Sequence, residues 1–211
     1  IPLRLVGSEM CIRDSPKGIT AGTGMDALAH CIEAYSSPFY HPMAEGTAVE
    51  GLRLVKENIQ EVYHNGTNVE ARAHMLVASM MGAAAFQKGL GAIHSITHPV
   101  NSLYHTHHGT TNGTVMPFVL NFNRETIEKK FDRLAKFLNI PNGFEGIVNW
   151  IIDLKKEMEI PETLKDMGVN IGDEVKLAPL AQEDPSTGGN PLEMDENKFE
   201  KLIGNCIEGK Y

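Results

Sequence analysis

Five of the nine histidines in this 211-residue chain, His94, His98, His105, His107 and His108, fall within residues 89–123. His94 and His98 stand four apart, so on a helix they share one face, about one turn apart along the axis. Upstream, in the stretch ITAGTGMDALAHCIEAY, Asp26 and His30 repeat that step. Two pairs of candidate ligands on two helical turns point to a mononuclear divalent-metal site. Such a site closes only if both segments are helical and packed together. Neutral imidazole with one carboxylate suits Fe2+, Zn2+, Ni2+ or Co2+. A single carboxylate also leaves a net positive centre, which preserves Lewis acidity.

Each residue has a plainer reading. Asp26 completes a Thr23-x-x-Asp26 capping box in front of an apolar stretch, which places Thr23 at a helix N-cap and residues 16–22 in a loop. His30, His94 and His98 can each be read as a helix histidine bonded to a carbonyl, and His105, His107 and His108 as a solvated polar loop. Five histidines within fifteen residues, beside Gly89, Gly91 and Gly109, are harder to explain that way. Gly22-Thr23-Gly24-Met25-Asp26-Ala27 formally fits a dinucleotide fingerprint, but no strand precedes it, so it reads as a helix start only. His30-x-x-Glu33 reverses the Glu-x-x-His order of di-iron bundles.

The rest of the pattern is helical. Apolar positions at Ala48, Leu52, Val55 and Ile59 mark a long helix from Met43 to about Val62, ended by His64-Asn65-Gly66. Asn68 is placed to cap a helix through Met75, Ala78, Gly82 and Ala85, whose small residues let a neighbour approach closely. Further helices are expected near 114–122 (started or kinked by Pro117), over 124–138, over 144–158 and over 173–182, with Pro161-Glu162 in a helix first turn. EDPSTGGNP reads as an ordered or lid-like loop, and residues 197–207 as a closing helix. With no internal repeat and almost no convincing strand, the expected fold class is all-α, a helical bundle.

A net charge of −8 without a Lys/Arg cluster argues against nucleic acid or an anionic membrane as partner. No apolar run is long enough to span a bilayer. Cys11, Cys31 and Cys206 are scattered and form no C-x-x-C pair, which fits free thiols in a cytoplasmic setting.

With these residues in place, the chain resembles the iron-containing (group III) alcohol dehydrogenase family. GMDALAHCIEAY is similar to that family's first metal segment, GLGAIHSITHPVNSLYHTHHGTTNGTVMPFVLNFN to its histidine signature, and DPSTGGNP to a C-terminal loop. The resemblance implies a helical catalytic domain over residues 15–211, with metal ligands Asp26, His30, His94 and His108. The step from His94 to His108 matches the family's spacing, which favours His108 over His107. His98 corresponds to a site histidine that is not a ligand, a candidate for proton relay. The implied cofactors are Fe2+ (or Zn2+) and NAD or NADP, the substrate a small alcohol or aldehyde, and the full-length enzyme a homo-oligomer. Family members hold the nucleotide in an N-terminal α/β domain with a GGGS-type loop. That domain is expected to be missing here, and residues 1–14 form a leader unlike the family. The alternative is a truncated helical metal-binding fragment without independent activity.

Overall fold

The computed structural model describes residues 15–211; the expected leader at residues 1–14 lies outside the described residues. Among the described residues there is no strand, and nine α-helices account for most of the chain. They are α1 (Lys17–Ser36), α2 (Pro42–His64), α3 (Val69–Ala85), α4 (Ala92–Tyr104), α5 (His108–Phe122), α6 (Arg124–Phe137), α7 (Gly143–Glu157), α8 (Glu174–Glu183) and α9 (Glu196–Glu208). Short 3-10 turns follow α3, precede α8 and occupy Pro185–Gly189. The all-α expectation holds.

α1 is the central element. It packs against α2, α3 and α5, and Met25, Leu28, Cys31, Ile32 and Tyr35 are buried along it. A helix covered on most of its circumference shows little amphipathic periodicity. Its C-terminal carbonyls find a buried cation: Lys88 Nζ donates to the carbonyls of Ala34, at 3.0 Å, and Ser37, at 2.6 Å, and pairs with Glu45 at 2.9 Å. Positive charge at a helix C-terminus complements the orphan carbonyls there. It also ties the chain entering the histidine segment to the end of α1.

Three local expectations need correction. Thr23 is not an N-cap: α1 begins at Lys17 after Pro16, and the Thr23 hydroxyl donates to the Ile19 carbonyl one turn back, at 2.8 Å. α5 begins at His108, well before Thr114, and its N-cap is His107, whose Nδ1 accepts from the Thr110 N–H at 3.3 Å. Its first two turns carry buried polar residues (Thr111, Asn112, Thr114), so apolar periodicity could not reveal them. Pro161-Glu162 does not start a helix; the chain there makes a turn before Lys165–Met167, tied to α9 by the Leu164 N–H donating to the Cys206 carbonyl at 2.9 Å. The Asn68 side chain caps α3 as expected, accepting from the Ala71 N–H at 3.1 Å. Cys31 and Cys206 are free and buried.

α1 and α5 cross with their backbones in contact. A Cβ on Gly109 would sit 2.0 Å from the Gly22 carbonyl oxygen, and one on Gly22 would strike the His107 ring. Only glycine permits this approach, and it sets Asp26 of α1 one turn from the crossing point, facing α5. Pro117, inside α5, cannot serve the Gly113 carbonyl. Next to that carbonyl, buried Lys155 donates to Thr114 O at 2.9 Å.

Two outcomes follow from this packing. Gly109→Ala should destabilise the chain by about 2 kcal/mol or more, because backbone must move. Gly113→Ala, whose Cβ would meet Met25 side-chain atoms at 3.1 Å rather than a backbone oxygen at 2.0 Å, should cost less. Equal urea midpoints for the two variants would sink the close-crossing account. Burial pushes the Lys155 pKa down from 10.5 to about 8, with Cys206, Glu162 and Asp166 pulling the other way. Across that window the unfolded chain binds a proton that the folded chain does not, so stability rises with pH. Relative to Lys155→Met, the wild type should gain on the order of 3 kcal/mol as pH climbs through it. Urea titrations below and above the window would read the change, and a constant difference would refute it.

Candidate metal centre

Asp26 and His30 come from the middle of α1, His94 from the first turn of α4, and His108 from the first residue of α5. Asp26 Oδ1 lies 3.3 Å from His108 Nε2 and 3.9 Å from His94 Nε2. Among the described residues, Asp26, His94 and His108 present ligand atoms that all fall within 4.8 Å of one another. His30 stands beside this trio and is not in it. Its Nδ1 is 3.7 Å from Asp26 Oδ2, and its ring centroid is 4.6 Å from that of His94. His30 Nδ1 donates to the Asp26 carbonyl at 2.9 Å, which leaves Nε2 as the lone-pair nitrogen. His107 is engaged as the α5 cap, away from the cluster.

Three residues that the histidine pattern did not single out complete the arrangement. Glu33 is buried; its Oε1 accepts from the Ile93 N–H at 2.7 Å and its Oε2 from His94 Nδ1 at 2.5 Å. An ionised carboxylate only accepts, so His94 carries its proton on Nδ1 and turns the Nε2 lone pair toward Asp26 and His108. Asn112, one turn along α5 from His108, places Nδ2 2.7 Å from Asp26 Oδ1 and 3.2 Å from both His94 Nε2 and His108 Nε2. Asp184, from the loop after α8, accepts from His98 Nδ1 at 2.7 Å. The His98 ring stacks on that of His108, with centroids 5.5 Å apart.

Sequence carried signals for two of the three. Asp26, His30 and Glu33 follow a 0, 4, 7 spacing on one helical stripe, and Asn112 stands four after His108. Asp184 has no local signal, because its partner lies 86 residues earlier.

The electrostatics are those of an acceptor-rich pocket. Burial pushes the Asp26 pKa up, but the His108 hydrogen bond, the charges of His30 and His108, and the Asn112 amide outweigh it and hold the carboxyl below its ordinary value. Burial leads in lowering the His30 pKa, and the Asp26 charge only partly offsets it. For His94 burial again acts downward, yet the Glu33 carboxylate, followed by Asp26 and Asp184, holds its pKa above the ordinary value. The Asn112 Nδ2 lies within 3.2 Å of Asp26 Oδ1, His94 Nε2 and His108 Nε2, and its own Oδ1 is buried without a partner. What such a cluster lacks is positive charge. One carboxylate oxygen and two imidazole nitrogens, with a third imidazole adjacent, fit a divalent first-row cation.

Comparison with known proteins shows the family. A model of the "Fe-containing alcohol dehydrogenase family, C-terminal" matches residues 20–207. A 4-hydroxybutyrate dehydrogenase of Cupriavidus necator is 37% identical over 197 residues, which cover 89% of this chain and 51% of the relative. The crystal structure of a 1,3-propanediol oxidoreductase superposes with a TM-score of 0.87 at 30% identity, over 92% of this chain and 53% of that one. A sulfoacetaldehyde reductase from Bifidobacterium kashiwanohense, solved in complex with NAD+, shares the fold with a TM-score of 0.84 at 22% identity, over 92% of this chain and 51% of that one. The chain spans about half the length of these relatives. It belongs to the iron-containing alcohol dehydrogenase family, as a match to that family's C-terminal domain.

Proposed function

We propose that this chain is the metal-binding, catalytic half of an NAD(P)-linked dehydrogenase that interconverts a small alcohol with its aldehyde or ketone. The observation that carries the reading is the convergence of Asp26, His94 and His108 ligand atoms within 4.8 Å, in a chain of this family. Asp26, His94 and His108, with the adjacent His30 as fourth ligand, would hold one divalent cation, Fe2+ or Zn2+. When bound, the cation supplies Lewis acidity to an alcohol or carbonyl oxygen, and NAD or NADP, carried by the rest of the full-length protein, supplies the hydride acceptor.

The residues of this chain have separate tasks. Glu33 orients the His94 ring and, in the neutral ring, places its proton on Nδ1. Asn112 holds Asp26 Oδ1 toward the two histidines. His98 is not a ligand; its Nε2 takes the hydroxyl proton in oxidation and returns it in reduction. Its ring lies 5.5 Å from that of His108 and 5.8 Å from that of His94, which keeps it beside the ligands. Chain length favours a second reading, a metal-binding piece with no turnover by itself, because only about half of each relative is matched. Assaying this chain alone for oxidation of a small alcohol with NAD or NADP separates the two: turnover removes the second.

Metal analysis of anaerobically purified protein should find one cation per chain. His94→Ala should lose it and His98→Ala should keep it. In the complete enzyme His98→Ala should also lower kcat by about 10²- to 10⁴-fold. Full occupancy in both variants would show the ligand roles to be wrong. Glu33→Gln should weaken metal affinity by about 10- to 100-fold, read by chelator competition. An unchanged affinity would remove Glu33 from the site.

A further inference from the structure

The loop between α8 and α9 runs antiparallel along α4 in a strict register. Asn190 Oδ1 accepts from the Ala92 N–H at 3.1 Å; three residues earlier, Thr187 Oγ1 lies 2.8 Å from Ser95 Oγ; three earlier again, Asp184 Oδ2 accepts from His98 Nδ1 at 2.7 Å. Each step of three back along the loop meets a step of three forward along the helix. The register is pinned at both ends. At one end, a Cβ on Gly189 would lie 2.0 Å from the Leu90 carbonyl oxygen, and Asn190 exchanges two side-chain hydrogen bonds with Asn123, at 2.9 and 3.0 Å. At the other, Asp184 Oδ1 accepts from the Ser186 N–H at 2.8 Å, which sets the carboxylate's rotation. A slip of one residue would bring Pro185 or Glu183 to His98 instead.

We propose that Asp184 is a positioning residue: through this loop it fixes His98 as the Nδ1-protonated tautomer, so that the Nε2 lone pair is what the ring offers at the metal site. A carboxylate can only accept from Nδ1, so the bond decides which nitrogen carries the proton. The choice matters because the His98 side chain is 43% exposed, while Asp184 is only 11% exposed. Without the carboxylate, water meets both ring nitrogens and nothing holds Nδ1 as the donor. A ring protonated on Nε2 presents an N–H to the site and cannot accept a proton there. The loop DPSTGGNP is thus the device that makes an exposed histidine single-valued. This rests on the proton-transfer role proposed for His98, but the bond and its consequence for the tautomer are independent of that role.

The test reads the tautomer directly, by long-range 1H–15N correlation of the His98 ring in the full chain, with and without Zn2+. The wild type should show a protonated Nδ1 and a lone-pair Nε2. In Asp184→Ala the two 15N resonances should exchange character, with Nε2 becoming the protonated nitrogen. Asp184→Asn, whose amide oxygen still accepts, should restore the wild-type pattern with faster exchange of the Nδ1 proton. Thr187→Val loosens the same loop and spares the Asp184–His98 bond, so it should leave the pattern alone. A wild-type ring protonated at Nε2 overturns the proposal even if Asp184→Ala does not fold. So does a Thr187→Val spectrum altered as much as that of Asp184→Ala. If the tautomer behaves as stated but His98→Ala leaves turnover intact, Asp184 keeps this role and the proton-transfer reading falls instead.

Discussion

The contact between the Gly22 carbonyl and the Gly109 backbone governs the distances of the site. Two ordinary helices packed through side chains keep their axes 8–10 Å apart; here the absence of two Cβ atoms lets α1 and α5 touch. Asp26 has a short side chain, and this approach brings its Oδ1 within 3.3 Å of His108 Nε2. The same closeness explains why residues 18–24, rich in glycine, remain helical. Glycine weakens a helix by roughly 1 kcal/mol per position relative to alanine, and the packing on α2, α3 and α5 offsets it.

A buried polar cluster is tolerable only when its members are paired. Glu33 meets that demand by bonding two groups of α4 at once, the Ile93 N–H and His94 Nδ1. The first of these is an orphan donor of the helix start, where negative charge is favoured. One carboxylate therefore caps α4, fixes the His94 ring and joins α1 to α4. Asn112 plays the corresponding part between α1 and α5 through Asp26. Three helices are joined at a point where apolar packing alone would leave their relative rotation loose.

Much of this was legible in the chain. The four-residue steps of Asp26–His30 and His94–His98 announced helices, and the helices are there. The boundaries failed where the helix faces inward with polar side chains. Thr111, Asn112 and Thr114 serve the interior of α5, and hydrophobic periodicity is silent about such residues. Thr23 carried the right letters for a cap, yet in the folded chain its hydroxyl bonds back to Ile19 inside a helix that starts at Lys17. His107 and His108 differ by the same local fact, since His107 caps the helix while His108 Nε2 lies 3.3 Å from Asp26 Oδ1. Asp184 lay beyond reach because its meaning depends on a loop register that only tertiary packing defines.

The exposure of the histidines gives the site a direction. The His94 side chain is 2% exposed and backed by Glu33, whereas those of His108 and His98 are 37% and 43% exposed. The closed wall is thus built from α1, α4 and the Asn112 turn, and the open wall from the stacked His98 and His108 rings. A small molecule meets the cluster on the side of these two half-exposed rings. The residue proposed to move a proton touches both the histidine cluster and solvent, so a proton taken from the site has a path to water. Burying His98 as deeply as His94 would close that path. Freeing it from the DPSTGGNP loop would open the path and lose the orientation, so partial exposure under a carboxylate's hold is the arrangement that satisfies both demands.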